Sequence, residues 1–307
     1  MNWHFTEQKD IEILQKCAMN NDFYANNYSA LNSILYQKKY NSQISINNNW
    51  IFERFEADKN LYYSFPHNIK GDKSESELKS AIDELLNELF LKVISQKEKK
   101  IIFSNVTSSE KDLLLSFYPS AKVTESPELN DYIYLTKNLS SLEGHKYSKK
   151  RNHISQFKKK YSDYSFELLN KTNINAVYEI EDKWFEENIS PDLQIERKLI
   201  HQALENFDHF ANYCGMSGGI LFVNKNPVAF CISSLLSSSV TDIHFEKCIS
   251  SFAHDGAYAV INREFARTVQ TEYINREEDL GIEGLRKAKL SYYPDIILSK
   301  YRVEINL

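Results

Sequence analysis

Three stretches of this sequence combine residue types that can do chemistry. The run at 145–160, His-Lys-Tyr-Ser-Lys-Lys-Arg-Asn-His-Ile-Ser-Gln-Phe-Lys-Lys-Lys, holds seven Lys/Arg and no acid in a chain of net charge −5, so the remainder carries −12. A positive patch on a negative background attracts a phosphate-bearing ligand without making the chain a general polyanion binder, and duplex DNA is not expected as a partner. Within the run, Lys150, Arg151, Asn152 and His153 set a guanidinium beside amide and imidazole groups, a combination suited to bidentate phosphate or carboxylate binding. Lys158, Lys159 and Lys160 read as solubility or polyanion contacts, and a solvated helix face accounts for the whole run equally simply. The second stretch is Asp242-Ile-His-Phe-Glu-Lys247. On a strand, His244 and Glu246 share one face and Phe245 and Lys247 the other, which suits a general-base pair or a holder for a substrate amine. A cross-strand surface pair is the plainer alternative. The third runs from Tyr273 to Pro294. Asn275, Arg276, Glu277, Glu278 and Asp279 stand at the end of a predicted buried strand, where polar side chains must find partners or face a cleft. Gly281 and Gly284 allow a turn into a helix carrying Arg286, Lys287 and Lys289; a solvated loop is the competing reading.

Hydrophobic periodicity supplies the elements that must position these residues. Helices are predicted at 6–19 and 28–40, then strands at 43–46, 50–55 and 61–65. A long amphipathic helix at 74–95 has Leu78, Ile82, Leu85, Leu86, Leu89, Phe90 and Val93 as its apolar stripe and Ser74 with Glu77 as a capping box. A strand at 101–105, a helix at 109–117 and a hairpin or strand pair at 122–125 and 132–135 complete the first half. The second half repeats this order without residue-level identity. Its helices are 173–188 and 193–210, its strands 218–223, 227–236 and 241–247, followed by helix 258–271, strand 272–275, helix 283–291 and strand 296–303. The basic segment 139–161, with Tyr147, Ile154, Phe157 and Tyr161 on one face, links the halves.

Size and composition agree with that division. The 307 residues, 42% hydrophobic with 19 Tyr and 18 Phe, suffice for two domains with aromatic-rich cores. The expected boundaries are 1–137, a linking basic helix at 138–162, and 163–307. Seven of the eight glycines follow residue 143, which directs attention to the second half. Cys17, Cys214, Cys231 and Cys248 lack the spacing of a zinc site and read as reduced thiols of a cytoplasmic protein. No secretory leader and no run of about 18 apolar residues is present, so no integral membrane segment is expected, and any lipid contact would be peripheral.

A meandering antiparallel start, a central helix and two further strand-bearing units resemble an α/β acyltransferase of the GNAT type. The expected fold class is therefore α/β (α+β), two tandem GNAT-like domains, each a mixed, largely antiparallel sheet flanked by helices. In such enzymes a glycine-rich turn and a helix N-terminus hold the pyrophosphate of coenzyme A. The matching stretch, His254-Asp-Gly-Ala-Tyr-Ala-Val-Ile-Asn-Arg263, has one glycine, and Asp255 reads as a helix N-cap. Acyl-CoA use is accordingly disfavoured.

Lys146-Tyr-Ser-Lys-Lys-Arg-Asn-His-Ile154, His244-Phe-Glu-Lys247, Gly256-Ala-Tyr258 with Ile261-Asn-Arg-Glu-Phe-Ala266, and Tyr273-Ile-Asn-Arg-Glu-Glu-Asp-Leu-Gly281 with Gly284-Leu-Arg-Lys-Ala-Lys-Leu-Ser-Tyr292 together resemble the family named for the C-terminal domain of phosphatidylglycerol lysyltransferase. The resemblance implies a tandem GNAT-like fold, akin to the Fem-type peptidoglycan transferases, that moves an aminoacyl group from aminoacyl-tRNA to an acceptor. It implies His244, Glu246, Arg276 and Glu278 as the catalytic set. Lys150 and Arg151 would meet a tRNA end or a lipid phosphate, with Asn152 and His153 beside them. Asn275, Glu277 and Asp279 would line the cleft and Arg286, Lys287 and Lys289 its positive side. Lys247, Tyr258 and Asn262, inside the matching strings, join the substrate-binding set. No cofactor and no metal is expected. The chain departs from the membrane-bound lysyltransferases in lacking a transmembrane region and in a strand-end motif far more acidic than a neutral lipid headgroup needs. The expected partner is aminoacyl-tRNA or another phosphate-bearing small ligand, with acceptor and oligomeric state unassigned. An acyl-CoA-dependent N-acyltransferase and a non-catalytic ligand-binding module on the same cleft are the alternatives.

Overall fold

The computed structural model describes residues 1–71, 74–93, 100–188 and 191–306, the side chains of 89–93 and 191–192 lying outside that description. The first half runs α1 (Ile11–Asn21), α2 (Ala30–Tyr36), β1 (Gln43–Asn47), β2 (Trp50–Ala57), β3 (Asn60–Tyr63), β4 (His67–Asn68), α3 (Glu75–Val93), β5 (Lys100–Thr107), α4 (Ser108–Phe117), β6 (Lys122–Glu125) and β7 (Asp131–Leu135). There follow α5 (Thr136–Ser141), α6 (Ser148–Lys160), β8 (Tyr164–Leu168), α7 (Ile174–Glu187), α8 (Pro191–Glu205), α9 (Phe207–Cys214), β9 (Ser217–Val223), β10 (Asn226–Leu235) and β11 (Val240–Cys248). The chain ends with α10 (Ser250–His254), α11 (Ala257–Ala266), β12 (Tyr273–Asn275), α12 (Glu283–Leu290), β13 (Ile296–Leu298) and β14 (Lys300–Asn306). Ser74 N–H donates to Glu77 Oε2 at 2.9 Å and Glu77 N–H to Ser74 Oγ at 3.3 Å, the expected capping box. Leu78, Ile82 and Leu85 are buried beneath α3, whereas Leu89, Phe90, Val93 and the predicted helix end at 94–95 fall outside the described residues or side chains.

Two mixed sheets are built, in the orders β1-β2-β3-β5-β14-β6, with β4 on β2, and β13-β7-β12-β11-β10-β9-β8. Each begins with an antiparallel meander and then has a parallel pair, β3 with β5 and β11 with β12. The next position in each sheet is filled from the other half of the chain. β14 lies against β5, and β7 lies against β12. The expected hairpin or strand pair of 122–125 with 132–135 is therefore wrong, and the reason is burial: every residue of β6 is exposed, while Asp131 to Tyr134 of β7 are buried and need a strand on both sides. The predicted last strand at 296–303 likewise divides into β13 and β14, one in each sheet. The predicted helix at 193–210 breaks at Asn206, which caps α9, and β8 was missed.

This exchange corrects the boundaries drawn along the chain. The halves are not separable at 137 or 163. α1 and α2 also cross over: Ile11, Leu31, Ile34 and Leu35 pack with Phe230, Ile232 and Phe245 on one face of the second sheet, together with α7, α8 and α9. The opposite face is covered by α6 and α11, with Ile154 and Phe157 buried among Leu221, Val260 and Phe265. The basic helix is thus a packed layer and not a spacer. β10 is buried at eight consecutive positions, as its run Pro-Val-Ala-Phe-Cys-Ile-Ser-Ser requires for a central strand. The four cysteines are free and buried, and among the described residues no helix is long and apolar enough to cross a membrane.

Candidate functional site

β11 and β12 run parallel only through Val240 with Tyr273, Thr241 with Ile274 and Asp242 with Asn275. β12 then ends and Glu277 enters the left-handed region at φ 57°. Asn275 Oδ1 accepts from Glu277 N–H at 2.7 Å and holds that turn. β11 continues to Cys248, so the two strands part, and residues 243–248 and 276–279 face each other across the opening.

A bulge then decides which side chain points where. Against β10, Phe245 pairs with Ile232 but Ile243 with Ser233, leaving His244 as an extra residue on β11. Ile243 consequently packs under α11 and Phe245 in the core shared with α2 and α7, although strict alternation would put them together. The expected His244 and Glu246 pair is broken for the same reason: the two lie on opposite faces of the strand.

On the α2 side, His244 Nε2 is 2.8 Å from Ser234 Oγ and its Nδ1 is 3.1 Å from Glu277 Oε1 and 3.7 Å from Asp242 Oδ2. Asn32 Nδ2 donates to Glu277 Oε1 at 2.8 Å, and Asn26 Nδ2 donates to Glu278 Oε2 at 2.5 Å. Asp131, fully buried, accepts from Asn26 N–H at 2.9 Å, from Asn275 Nδ2 at 3.1 Å and from Lys300 Nζ at 2.8 Å. Burial, with the charges of Glu277, Asp131 and Glu278, pushes the Asp242 carboxyl well above its ordinary range. Burial and then the charge of Glu277 raise Glu278. Burial acts in the same direction on Glu277, but the His244 hydrogen bond and charge outweigh it and hold this carboxyl low. The carboxyls of Asp242, buried, and of Glu277 and Glu278, partly buried, lie close together with Lys300 already committed to Asp131, so this side is anionic.

The α11 side has the opposite character. Arg276 Nη2 donates to Glu246 Oε2 at 2.7 Å, its guanidinium lies 5.0 Å from the Tyr292 ring, and its Nη1 is buried with no partner among the described residues. Glu246 also accepts from Asn262 Nδ2, whose second acceptor is the Tyr258 carbonyl at 2.9 Å. Lys150 Nζ sits 3.7 Å over the Tyr292 ring and donates to Ser291 Oγ at 2.7 Å. Burial, then the Arg276 charge, pulls Lys150 down to about 8 against the opposing pull of Glu246. Lys289 Nζ donates to the carbonyls of Arg276 and Glu277, fastening α12 to the strand end. Asp279 does the same from the other direction, accepting from Arg286 Nε at 2.7 Å, Arg286 Nη2 at 2.9 Å and Tyr132 OH at 2.5 Å.

Several expected site residues lie elsewhere. Arg151 Nη1 donates to the carbonyls of Leu142 and Gly144, and Asn152 and His153 are exposed, so the set from Lys150 to His153 does not converge on one ligand. Consecutive helical residues point about 100° apart, which is why only Lys150 reaches the opening. Lys247 pairs with Glu196 at 2.8 Å and lies 3.8 Å over the Trp184 ring, on the face away from Glu246. Lys287 pairs with Glu283 in solvent. Asp255 is not the α11 cap: Gly256 holds that place at φ 102°, and Asp255 accepts from Lys160 Nζ at 2.6 Å and Tyr161 OH at 2.5 Å. Gly284 sits inside the first turn of α12 with open space around it, and the turn is made by Gly281 at φ 75°. Asn26, Asn32, Asp131, Ser234 and Lys300 were missed; they come from distant segments, and none carries a local motif. Tyr292 lies inside the quoted string that ends the third stretch but was not singled out.

Two splayed mixed sheets in tandem, with a polar cluster at the parting strands of the second, define a tandem GNAT-like transferase fold. Residues 21–304 match the family described as phosphatidylglycerol lysyltransferase, C-terminal, and the chain belongs to that family. A conserved protein of unknown function from Bacteroides thetaiotaomicron has 32% identity and a TM-score of 0.89 over the whole of both chains. The C-terminal domain of a putative lysylphosphatidylglycerol synthetase from Agrobacterium fabrum superposes with a TM-score of 0.64 at 11% identity, covering 97% of this chain and 92% of that one. An uncharacterised protein of Mycoplasmoides gallisepticum is 22% identical over 206 residues, 67% of this chain, and the match spans 65% of that relative's length.

Proposed function

We propose that the opening between β11 and β12 transfers an aminoacyl group from the ester of an aminoacyl-tRNA to a nucleophilic acceptor. The observation that carries this reading is the unpartnered, buried Nη1 of Arg276 beside Lys150 at the point where the strands part. A guanidinium N–H already held in place costs no reorganisation when a carbonyl oxygen becomes an oxyanion. Glu246, itself held by Asn262, holds that guanidinium and so acts as a positioning residue. Lys150 takes the proton. Facing it are Arg276, Glu246, the Tyr292 ring and the Ser291 hydroxyl, and a lysine held near 8 exists partly as free amine close to neutral pH. In the transfer step the acceptor atom bonds to the carbonyl carbon and its proton passes to Lys150 Nζ. The bond from that carbon to the ribose oxygen breaks, and this oxygen leaves with the proton. His244 and Glu278, on the other face, take no step in this reading.

Family membership favours an aminoacyl donor. An acyl-CoA donor is disfavoured because the turn into α11 has one glycine and carries the Asp255 carboxylate where a pyrophosphate would lie. The test is to incubate the protein with tRNA charged with a panel of amino acids and with hydroxyl and amine acceptors, following loss of the ester. Protein-dependent transfer is expected, with a fall of about 10²–10³ in Arg276→Ala. If no charged tRNA is bound or consumed, the reading fails, and stabilisation by acetyl-CoA in a thermal shift would support the other donor.

A further inference from the structure

We propose that Asp242, His244 and Glu277 form a binding site for one divalent first-row metal cation. One ligand atom from each lies within 4.8 Å of the other two. Donors bound to one ion at about 2.1 Å are separated by about 3.0 Å along an octahedral edge and about 3.4 Å along a tetrahedral one. His244 Nδ1 lies 3.1 Å from Glu277 Oε1, between those values, and 3.7 Å from Asp242 Oδ2, a little longer than either. The three donors therefore lie near the spacing of ligands to one ion, and closing on it requires only small side-chain shifts.

The second, independent observation is Asp242. Its side chain is wholly removed from solvent, and among the described residues neither carboxyl oxygen has a hydrogen-bond partner. A buried carboxylate without hydrogen bonds is among the most costly groups a fold can carry, and such groups are ordinarily paired or bound to a metal. Among the described residues no lysine or arginine forms an ion pair with Asp242 or Glu277. Lys300 is held by Asp131, Arg276 by Glu246, and Lys289 by two carbonyls. The imidazole is also oriented for the task. Ser234 Oγ at 2.8 Å accepts from Nε2–H in the tautomer that frees the Nδ1 lone pair, the outer contact a metal-bound histidine ordinarily has. The bulge at His244 aims Nδ1 at the carboxylates and away from the ladder. One imidazole nitrogen and two carboxylate oxygens, with no thiolate in the set, suit Mn²⁺, Co²⁺ or Zn²⁺. This site lies on the opposite face of β11 from Arg276 and Glu246 and stands or falls without the transfer reaction.

The test uses the full, untagged chain, stripped with chelator and titrated with MnCl₂, ZnCl₂ and CoCl₂ by calorimetry. Saturable binding of one ion per chain is expected, and the cobalt form should show visible d–d absorption characteristic of mixed nitrogen and oxygen ligation. Asp242→Asn and, separately, Glu277→Gln should each weaken binding at least tenfold, while the exposed Asp208→Asn should not. Two carboxylate variants are used so that a folding defect in one, seen by circular dichroism, leaves the other to decide. No saturable binding of any of the three ions up to millimolar concentration would overturn the proposal. So would ion binding that persists unchanged in a folded Asp242→Asn or Glu277→Gln protein.

Discussion

Lys300→Met is the most searching test of how the two sheets are joined. Lys300 is 2% exposed and opens β14, the strand the second half gives to the first sheet. Its ammonium meets Asp131 Oδ1 at 2.8 Å, on the strand given in the other direction, and the side-chain carbonyl of Asn26. Methionine keeps most of the stem's packing and removes the charge. Asp131 would then be a fully buried carboxylate holding only two amide donors, near Asp242 and Glu278, both of which already suffer from its charge. Removing one partner of a buried ion pair costs about 3–5 kcal/mol, because the remaining charge is left uncompensated. For a chain of this length that corresponds to a fall in melting temperature of about 5–8 °C. Adding Asp131→Asn removes the stranded charge and should recover the stability to within about 1 kcal/mol. Urea denaturation at pH 7 followed by tryptophan fluorescence reads all three proteins. If the double variant is as unstable as the single one, the loss is one of packing, and the charge argument is refuted.

Other expectations are more local. Burial raises the Glu53 carboxyl to about 7 against the hydrogen bond it accepts from Ser64. The unfolded chain loses that proton first, so the contribution of Glu53 is full below about pH 4.5 and falls away as pH rises to about 7, by about 3 kcal/mol in all. Glu53→Gln should stabilise the protein at pH 8 and not at pH 4; equal effects at both pH values would contradict the assignment. In the transfer assay the rate should rise with pH through about 8 as Lys150 becomes the free amine. Lys150→Met should be slow and lose that limb, and a profile unchanged in the variant would remove Lys150 from the mechanism. Gly256 has φ 102°, and a Cβ there would stand 2.9 Å from the His153 carbonyl, so Gly256→Ala should cost about 1–3 kcal/mol in thermal denaturation by straining the contact between α6 and α11.

Much of the secondary structure was legible because each element carries its own pattern. The first turns of the apolar stripe of α3, the capping box at Ser74 and the buried run of β10 are local, and the structure agrees with them. The repeat of an antiparallel meander, a helix and further strand-bearing units was legible for the same reason. Partners were not. Nothing within 122–135 says that its two strands belong to different sheets, and nothing in 296–303 says that one apparent strand is two. Pairing is settled by which strand buries both faces, a property of the assembled layers.

The candidate site divides along the same line. Residue types alone picked out His244, Glu246 and the acidic turn 275–279, because polar residues at a buried strand end must have a purpose or a partner. The sequence by itself determined most of the elements, the family and the stretch of chain in which the charged residues gather. Tertiary structure alone decided that one bulged residue turns His244 away from Glu246, that Asn26, Asn32 and Lys300 arrive from distant segments to meet the acids, and that each half completes the other's sheet. Periodicity is a property of neighbours along the chain and can be read there; register, face and charge balance depend on what is packed across the sheet, and that is fixed only when the layers close.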